Sequence, residues 1–285
     1  MPEPVAGRER TVARVPDAMP RAGLVDYHLH TPRCGHASGV PEDYVLAGLE
    51  RGLAEMGFAD HLPLLHMRDD TLSMPLEQLP AYVEDIVGLS RRYPEARLRL
   101  GIEADFIPTH LDRIAVLVAA HPFDYVIGSV HFIGGWGFDD PRYLDGYRDR
   151  DLYELWRRYF ELLGDAAECG LFDILAHPDL IKKFGMRPQA DLGEIYGDCV
   201  QRIAASGVGI EVSTAGLRKP VGEIYPAPEF LRLCCAAGVP VTPGSDAHSP
   251  EEVGQDFEML PDFLAACGCR EIAVYRDRVR DFRAL

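Results

Sequence analysis

The sequence predicts an α/β fold in which about seven strand–helix units close into a barrel. Strand-like and helical segments alternate along most of the 285 residues, an order typical of parallel sheets with helical crossovers. This length is ordinary for one α/β barrel, and no long polar linker divides the chain. Histidines and carboxylates follow the ends of successive predicted strands, where such barrels carry their functional residues.

Each predicted strand is a short apolar run bounded by glycine, proline or polar residues. Seven such runs are expected to form the barrel sheet, and an eighth, Ile272–Tyr275, is expected as a last edge strand. The seven are Leu24–His30, Met56–Ala59, Arg97–Ile102, Asp124–Val130, Asp173–Ala176, Gly209–Ser213 and a strand that opens at Pro240–Thr242.

The helices between these strands are predicted from apolar residues at helical spacing and from their stop signals. Proline begins the first helix, where a missing N–H costs little, and Pro94 and Pro122 follow the second and third. Gly238 ends the sixth, and a loop over residues 132–151 precedes the fourth. The six helices are Pro41–Gly52, Leu79–Arg92, Thr109–Ala120, Leu152–Cys169, Leu192–Ala205 and Ala227–Ala237.

The charge balance limits the class of partner. With 29 Lys and Arg against 45 Asp and Glu, the net charge is −16, which argues against broad binding to nucleic acid or anionic membranes. It suits a site whose carboxylates and imidazoles bind cations. No stretch approaches the roughly 18 to 20 apolar residues that a membrane span needs. We therefore expect a cytoplasmic protein, and nothing in the sequence indicates its oligomeric state.

The sequence predicts one domain after a short leader, and its cysteines show no metal-binding spacing. Residues 1–22 are rich in Pro, Arg and Ala without the apolar region of a secretory signal, and they are predicted to be an irregular leader. Residues 23–285 are predicted to form a single barrel domain. The seven cysteines include no Cys-x-x-Cys pair, which favours reduced core thiols over a zinc knuckle.

Two short pairs of potential metal ligands bracket the predicted barrel. His28 and His30 are one residue apart at the end of the first strand, so both imidazoles face the same side. Asp246 and His248 repeat this spacing after the last barrel strand. One such pair is more often a chance surface pair, but two that bracket a barrel favour a shared metal centre.

Five further donors follow the other strands. Taken singly, a histidine after an apolar strand is more often a hydrogen-bonded core residue than a ligand. A glutamate there can cap a helix or form an ion pair, but its two oxygens can also bind two cations. Nine converging donors are more than one ion uses, which favours a multinuclear metal hydrolase. The five are His36, His61, Glu103, His131 and His177.

A phosphate ester would also need cationic donors besides metal ions. Lys182 and Lys183 follow the fifth predicted strand, and Arg218 and Lys219 follow the sixth. Ordinary surface charge is the alternative for at least two of these four. Arg218 is the first choice for a phosphate contact, because a guanidinium can hold two phosphate oxygens, and Lys182 and Lys183 come next.

Taken together, these residues resemble the polymerase-and-histidinol-phosphatase (PHP) superfamily over residues 25–257. Its pattern is an HxH opening, a strand-end Glu, two strand-end His and a closing DxH, and each position is matched here. Within it, the likeness is greatest to the monofunctional histidinol-phosphate phosphatases. The segments that carry it are HLHTPRCGH (28–36), GFADH (57–61), GIEAD (101–105), GSVH (128–131), HPDLIKK (177–183) and EVSTAGLRKP (211–220).

The resemblance implies a distorted (β/α)7 TIM-like barrel with three divalent transition-metal ions. Zn, Mn and Fe are all compatible with imidazole and carboxylate ligands. Glu103, Asp246 and His248 are implied to be catalytic. The implied ligand sets are His28, His30, Glu103 and Asp246 for the first ion, Glu103, His131 and His177 for the second, and His36, His61 and His248 for the third.

The implied reaction is hydrolysis of a small phosphorylated substrate, L-histidinol phosphate, to L-histidinol and phosphate in histidine biosynthesis. Divalent ions would supply hydroxide at neutral pH by lowering the pKa of bound water. The third ion would hold the phosphoryl oxygens together with Arg218 and Lys182 or Lys183. Asp105, Asp139 or Asp179 is a candidate for binding the ammonium or imidazolium of the substrate.

Three alternative functions remain. The first is a phosphoesterase of the same superfamily that acts on nucleotides or nucleic-acid ends. The net negative charge of the chain argues against it. An amidohydrolase cleaving C–N bonds also uses HxH on a barrel, but it normally needs a strand-end lysine ligand, and none is found. A catalytically silent metal-binding module is disfavoured by the complete ligand set.

Overall fold

Seven parallel strands form one sheet, and their spatial order follows the chain, from the first barrel strand to the last. A computed structural model describes residues 23–285, and the predicted leader, residues 1–22, lies outside the described residues. The strands are β1 (Val25–Leu29), β2 (Glu55–Phe58), β3 (Leu98–Asp105), β4 (Tyr125–Ser129), β5 (Phe132–Ile133), β6 (Trp136–Gly137), β7 (Ile174–Leu175), β8 (Gly209–Ser213), β9 (Val241–Gly244), β10 (Glu271–Arg276) and β11 (Val279–Ala284).

The helices cover the outside of this sheet as crossovers between parallel strands. Within residues 23–285, no helix is both long enough and apolar enough to cross a bilayer. The helices are α1 (Pro41–Glu50), α2 (Leu79–Arg92), α3 (Leu111–Ala119), α4 (Leu152–Glu168), α5 (Gly193–Ser206), α6 (Pro228–Ala236) and α7 (Leu260–Ala266).

The two ends of the sheet meet and nearly close a barrel. The sheet runs β1-β2-β3-β4-β7-β8-β9, and β1 continues to the segment after β9 through a parallel bridge between Leu29 and Ala247. There the His30 amide donates to Ala247 O at 2.9 Å, and the Ala247 amide donates to His28 O at 3.0 Å. This contact brings the first and last ligand pairs together, and the predicted (β/α)7 barrel is confirmed.

Large aromatic side chains fill the barrel interior beneath the ligand pole. The rings of Tyr27 and Tyr125 stack with centroids 4.9 Å apart, and the Tyr125 hydroxyl donates to Tyr27 O at 2.7 Å. Gly57 on β2 and Gly101 on β3 leave space for this ring, since a Cβ there would lie 2.1 and 2.2 Å from Tyr125 atoms. The barrel is therefore a packed core and not a channel.

Several elements differ from the sequence prediction, which does not include helix α7. Strand β3 runs on to Asp105, so Glu103 lies inside a strand and pairs with Ile127. The loop after β4 contains the β5–β6 hairpin, whose turn residues Gly134 and Gly135 have φ of 59° and 83°. The predicted last strand is part of β10, which pairs antiparallel with β11 in a separate two-stranded sheet.

The prediction that the cysteines are reduced thiols is wrong for two of the seven. Cys235 at the end of α6 and Cys269 before β10 form a disulfide. The two sulfurs meet because the end of α6 packs beside the turn that follows α7, a tertiary contact that sequence spacing cannot show. The other five cysteines are free thiols.

Candidate metal centre

The two predicted ligand pairs meet where β1 and the segment after β9 adjoin. His28 and His30 are both buried, with ring centroids 4.9 Å apart. Asp246 Oδ1 lies 3.1 Å from His30 Nε2 and 3.8 Å from His28 Nε2. The buried Asp26 on β1 fixes this contact, because its carboxylate accepts the Ser245 amide at 2.9 Å. The first and last strands therefore bring their donors to one point.

Glu103 is the central carboxylate of the site and is only 1 % exposed. Its Oε2 atom lies 2.9 Å from His61 Nδ1 and 3.3 Å from His28 Nε2. Its Oε1 atom lies 3.3 Å from His177 Nε2 and 3.8 Å from His131 Nε2. Because each oxygen faces a different group of histidines, the carboxylate is placed to bridge two ions.

A third group of donors lies at the outer side of the site. His36 Nε2 and His248 Nε2 are 3.0 Å apart, and the His61 ring lies 5.4 Å from that of His36. The thiol of Cys34 also lies within 4.8 Å of donor atoms of His30 and His248. Sequence reasoning did not single out this cysteine, which is fully buried.

The donor spacing fits divalent metal ions. Two ligands about 2.1 Å from one ion at a tetrahedral angle are about 3.4 Å apart, and the separations above cluster around that value. His28 Nε2, His30 Nε2 and Glu103 Oε2 are buried, and within residues 23–285 they have no hydrogen-bond partner. Buried polar atoms without partners are costly, so coordination is a physical explanation for them. The donor groups together can hold divalent metal.

Carboxylates and carbonyls behind the histidines orient the rings. Glu211 Oε1 lies 2.7 Å from His28 Nδ1, and Asp105 Oδ1 lies 2.9 Å from His131 Nδ1. The Nδ1 atoms of His36 and His248 each lie 3.0 Å from a backbone carbonyl. Each of these rings therefore presents Nε2 toward the centre, as metal-binding histidines usually do.

Glu211 is a residue of the candidate site that sequence reasoning did not identify. It is buried in the middle of β8, and its Oε2 also accepts the His177 amide at 2.7 Å. Gly244 makes room for it, since a Cβ there would lie 1.9 Å from Glu211 Oε1. The available signal was a carboxylate inside an apolar strand, which is rarely buried without a partner.

The charges in the centre shift the pKa values of its groups. Burial alone would raise the pKa of Glu103, but the charges of His61 and His28 hold it well below its usual value. Burial and neighbouring histidines lower the pKa of His36 to about 4. Burial also lowers the pKa of His131, but Asp105 and Asp139 outweigh it and raise the value to about 10. Metal binding at such a nitrogen must displace a proton.

We expect Glu211→Gln to weaken metal binding by roughly 10- to 100-fold, the usual effect of losing a carboxylate behind a ligand. The amide can accept from only one of its two present partners, His28 and the His177 amide. Metal affinity measured by chelator competition checks this, with the exposed Glu229→Gln on α6 as control. An affinity equal to that of the control would show that Glu211 does not support the ligands.

An open cavity of about 830 Å³ lies above this centre, a volume within the range of small-molecule sites. Seven of the nine donors, all except His28 and His30, form part of its wall. Aromatic, acidic and basic side chains from the loop after β4 form another part, and residues 64–72, Lys183, Lys219 and Tyr225 contribute as well. The residues that line it from that loop are Phe132, Gly134, Gly135, Trp136, Gly137, Asp139, Asp140, Pro141, Arg142 and Tyr143.

The structure corrects the prediction that Lys182 contacts phosphate. Its side chain is fully buried and does not line the cavity. The ammonium lies 3.0 Å from Asp179 Oδ2 and donates to Ile224 O at 2.9 Å. Asp179, a candidate for the substrate's ammonium, is fully buried in the same ion pair. Both residues brace the loop after β7 against residues 224–227, and neither lines the cavity.

Arg218 lies beside the last ligand pair and outside the cavity lining. Its Nη2 donates to Ser245 O at 2.7 Å and to Asp246 O at 3.3 Å. Its Nε lies 3.2 Å from Glu252 Oε1. The guanidinium therefore holds the loop that carries Asp246, and its role in binding phosphate stays a prediction.

Three other cationic side chains do line the cavity: Arg142, Lys183 and Lys219. Arg142 pairs with Asp69 at 2.9 Å and Asp140 at 2.6 Å, while Lys183 pairs with Asp139 at 3.0 Å. Lys219 forms no ion pair with any residue between 23 and 285. Of these three groups, Lys219 is therefore the one whose charge no described carboxylate offsets in an ion pair.

The fold and the site define a class: parallel α/β barrels with a candidate site for divalent metal at their strand ends. The sequence profile of the PHP domain matches residues 26–215, about two thirds of the chain. The chain belongs to the PHP domain family. The fold is shared with a crystal structure of histidinol phosphate phosphatase from Lactococcus lactis (TM-score 0.77, 20 % identity), which covers 90 % of this chain and 98 % of that one.

Two relatives of known designation are similar over most of their length. A probable histidinol-phosphatase of Deinococcus radiodurans is 44 % identical over 237 residues, which cover 82 % of this chain and 90 % of that protein. Histidinol-phosphatase of Bacillus subtilis is 28 % identical, with 85 % of this chain and 98 % of that protein covered. The Lactococcus lactis protein above was crystallised with Zn, L-histidinol and phosphate.

Proposed function

We propose that this protein is a metal-dependent phosphomonoesterase that hydrolyses L-histidinol phosphate to L-histidinol and phosphate. The observation that carries the proposal is the convergence of the nine predicted donors at one pole of the barrel. Seven of them line a single cavity, and His28 and His30 lie buried directly behind it, next to Glu103 and Asp246. The 44 % identity to a probable histidinol-phosphatase supports the choice of substrate. Residues 23–285 are proposed to act as one barrel domain. The cytoplasmic location of the protein stays a prediction.

The proposed centre holds three divalent ions. Three of the four groups of donors that could each take an ion consist of predicted ligands and support this count: His28–His30–Glu103, His61–Glu103–His131 and His36–His61–His248. His61 belongs to two of them, because its Nδ1 faces Glu103 while its ring also lies near His36. Zinc is the first choice among Zn, Mn and Fe, since the similar Lactococcus lactis enzyme was crystallised with it.

When bound, such ions supply hydroxide at neutral pH and offset phosphoryl charge. The residues of this chain supply the rest. Glu103 fixes the spacing of two ion sites, and Asp246 and His248 connect the first site to the outer one. Lys183 and Lys219 are proposed to attract and orient the phosphate dianion at the cavity wall. The chemistry needs no covalent intermediate on a side chain.

The cavity beyond the centre is proposed to accept the histidinol part of the substrate. Asp139 is the carboxylate best placed for its ammonium, because it lines the cavity and its side chain is 20 % exposed. Both candidates already have a partner, Lys183 for Asp139 and His131 for Asp105, but the side chain of Asp105 is less accessible, at 9 % exposed. The aromatic walls Phe132, Trp136 and Tyr143 offer flat surfaces for an imidazole ring.

A phosphate-release screen of the metal-loaded protein tests the proposal. We expect L-histidinol phosphate to be turned over with a kcat/KM at least about tenfold above that of generic monoesters, since only it can use Asp139 and the aromatic wall. Chelation is expected to abolish release, and restored divalent metal to recover it. Faster hydrolysis of single-stranded DNA or nucleotides than of histidinol phosphate would favour the nucleic-acid-end alternative instead.

A further inference from the structure

Tyr225 carries a buried hydroxyl that the folded chain leaves without a partner. Its side chain is 1 % exposed, and the hydroxyl forms no hydrogen bond within residues 23–285. Most buried tyrosine hydroxyls find a partner. Here the phenols of Tyr27, Tyr82, Tyr125 and Tyr159 all do. The exception therefore needs an explanation.

The position of Tyr225 supplies that explanation. The residue lines the cavity, and its ring lies 6.4 Å from the ring of the metal-ligand candidate His177. The carboxylates of Asp246 and Asp139, which also line the cavity, are near enough to contribute to its raised pKa. The unpartnered group thus lies at the cavity wall between the candidate metal centre and the proposed histidinol end.

The ring is held rigidly in this position. Its backbone pairs with Ser213 at the end of β8 in both directions, at 2.7 and 2.9 Å. Gly216 lies against the ring, and a Cβ there would be 3.0 Å from two ring carbons. On another side the Lys182 ammonium lies 5.3 Å from the ring centroid. A side chain fixed from three directions is pre-organised for a ligand.

We propose that the Tyr225 hydroxyl donates a hydrogen bond to a phosphoryl oxygen of the bound ester. This inference rests on the proposed function only in requiring a phosphate monoester in the cavity. Burial raises the pKa of the phenol, so it stays neutral and keeps its proton to donate. The ordinary acceptor for such a donor is an anionic oxygen, and the cavity already offers Lys183 and Lys219 for the same anion.

Tyr225→Phe tests the proposal, because it removes only the hydroxyl. We expect the KM for L-histidinol phosphate and for p-nitrophenyl phosphate to rise by the same factor, roughly 10- to 100-fold. The inhibition constant of inorganic phosphate should rise equally. Metal content should not change, and the melting temperature should stay equal or increase, because an unpaired buried donor is removed. The control is Tyr147→Phe, whose hydroxyl contacts Ile181 O outside the cavity lining.

Each other outcome overturns the assignment. A raised KM for histidinol phosphate alone would mean that the hydroxyl contacts the leaving group and not the phosphoryl group. An unchanged KM for both esters would mean that the hydroxyl does not contact the substrate. A melting temperature several degrees lower would show that the hydroxyl has a structural partner. If the wild-type protein hydrolyses p-nitrophenyl phosphate but not histidinol phosphate, the proposed substrate is wrong, and Tyr225 is still tested by the generic ester and phosphate.

Discussion

Glu103→Gln is expected to lower kcat by about three orders of magnitude or more, which corresponds to roughly 4 kcal/mol at 1.36 kcal/mol per tenfold. The two carboxylate oxygens of Glu103 face different donors: His61 lies 2.9 Å from one and His177 lies 3.3 Å from the other. A glutamine offers one oxygen and one NH2 group, and the NH2 group cannot bind a cation. The bridge between two ion sites is therefore lost, together with at least part of the bound metal.

The fold should survive this change, because the amide has the size of the carboxylate. Single-turnover kinetics and elemental analysis of the metal-loaded protein measure the two expected losses, and a thermal melt measures the fold. Glu194→Gln, an exposed position in the first turn of α5, is the matched control. Turnover of Glu103→Gln close to that of this control would refute the bridging role.

The convergence of the donor side chains could be predicted because strand geometry determines it. Alternation along β1 makes His28 and His30 share a side, and parallel strands end at the same pole. Even so, the sequence does not show that β3 continues through Glu103, because a carboxylate in an apolar strand looks like the start of a loop. Here it is the neighbouring imidazoles that make its burial favourable, and those neighbours are distant in sequence.

The supporting residues could not be predicted for a related reason. Position after a strand indicates which pole a side chain is near, but not whether it turns outward or inward. Lys182 and Lys183 follow the same strand, yet the first is fully buried and the second lines the cavity. The difference arises from Asp179, a loop residue whose backbone φ is 65°. Its buried carboxylate forms an ion pair with Lys182 inside the loop. Glu211 was missed in the same way, as its partner His28 lies 183 residues away.

Lys182→Met should destabilise the folded protein by about 3–5 kcal/mol, the usual effect of removing one member of a buried ion pair. Asp179 would keep only its hydrogen bond from the Ala227 amide, now 2.7 Å long, to offset its burial. A thermal melt with saturating metal should show a fall of roughly 10 °C. Lys183→Met, which breaks a partly exposed pair with Asp139, should cost about 1 kcal/mol or less.

The destabilisation in Lys182→Met should also depend on pH. Burial raises the pKa of Asp179 to about 6 from 3.8, and the Lys182 charge opposes this rise, so its removal raises the folded value further. A carboxyl group with a raised folded pKa stabilises the fold when protonated, and that contribution is lost as pH rises through the folded value. The wild type loses this stabilisation by about pH 6. The variant continues to lose stability above that pH, because the folded pKa of its Asp179 is higher.

The stability difference between Lys182→Met and wild type should therefore be larger at pH 8 than at pH 5, as chemical denaturation at both values would show. Adding Asp179→Asn removes the buried charge while keeping an acceptor for the Ala227 amide. The double variant should recover part of the lost stability and show no extra loss at pH 8. Equal destabilisation at both pH values, or no recovery in the double variant, would mean that Lys182 acts by packing and not by its charge.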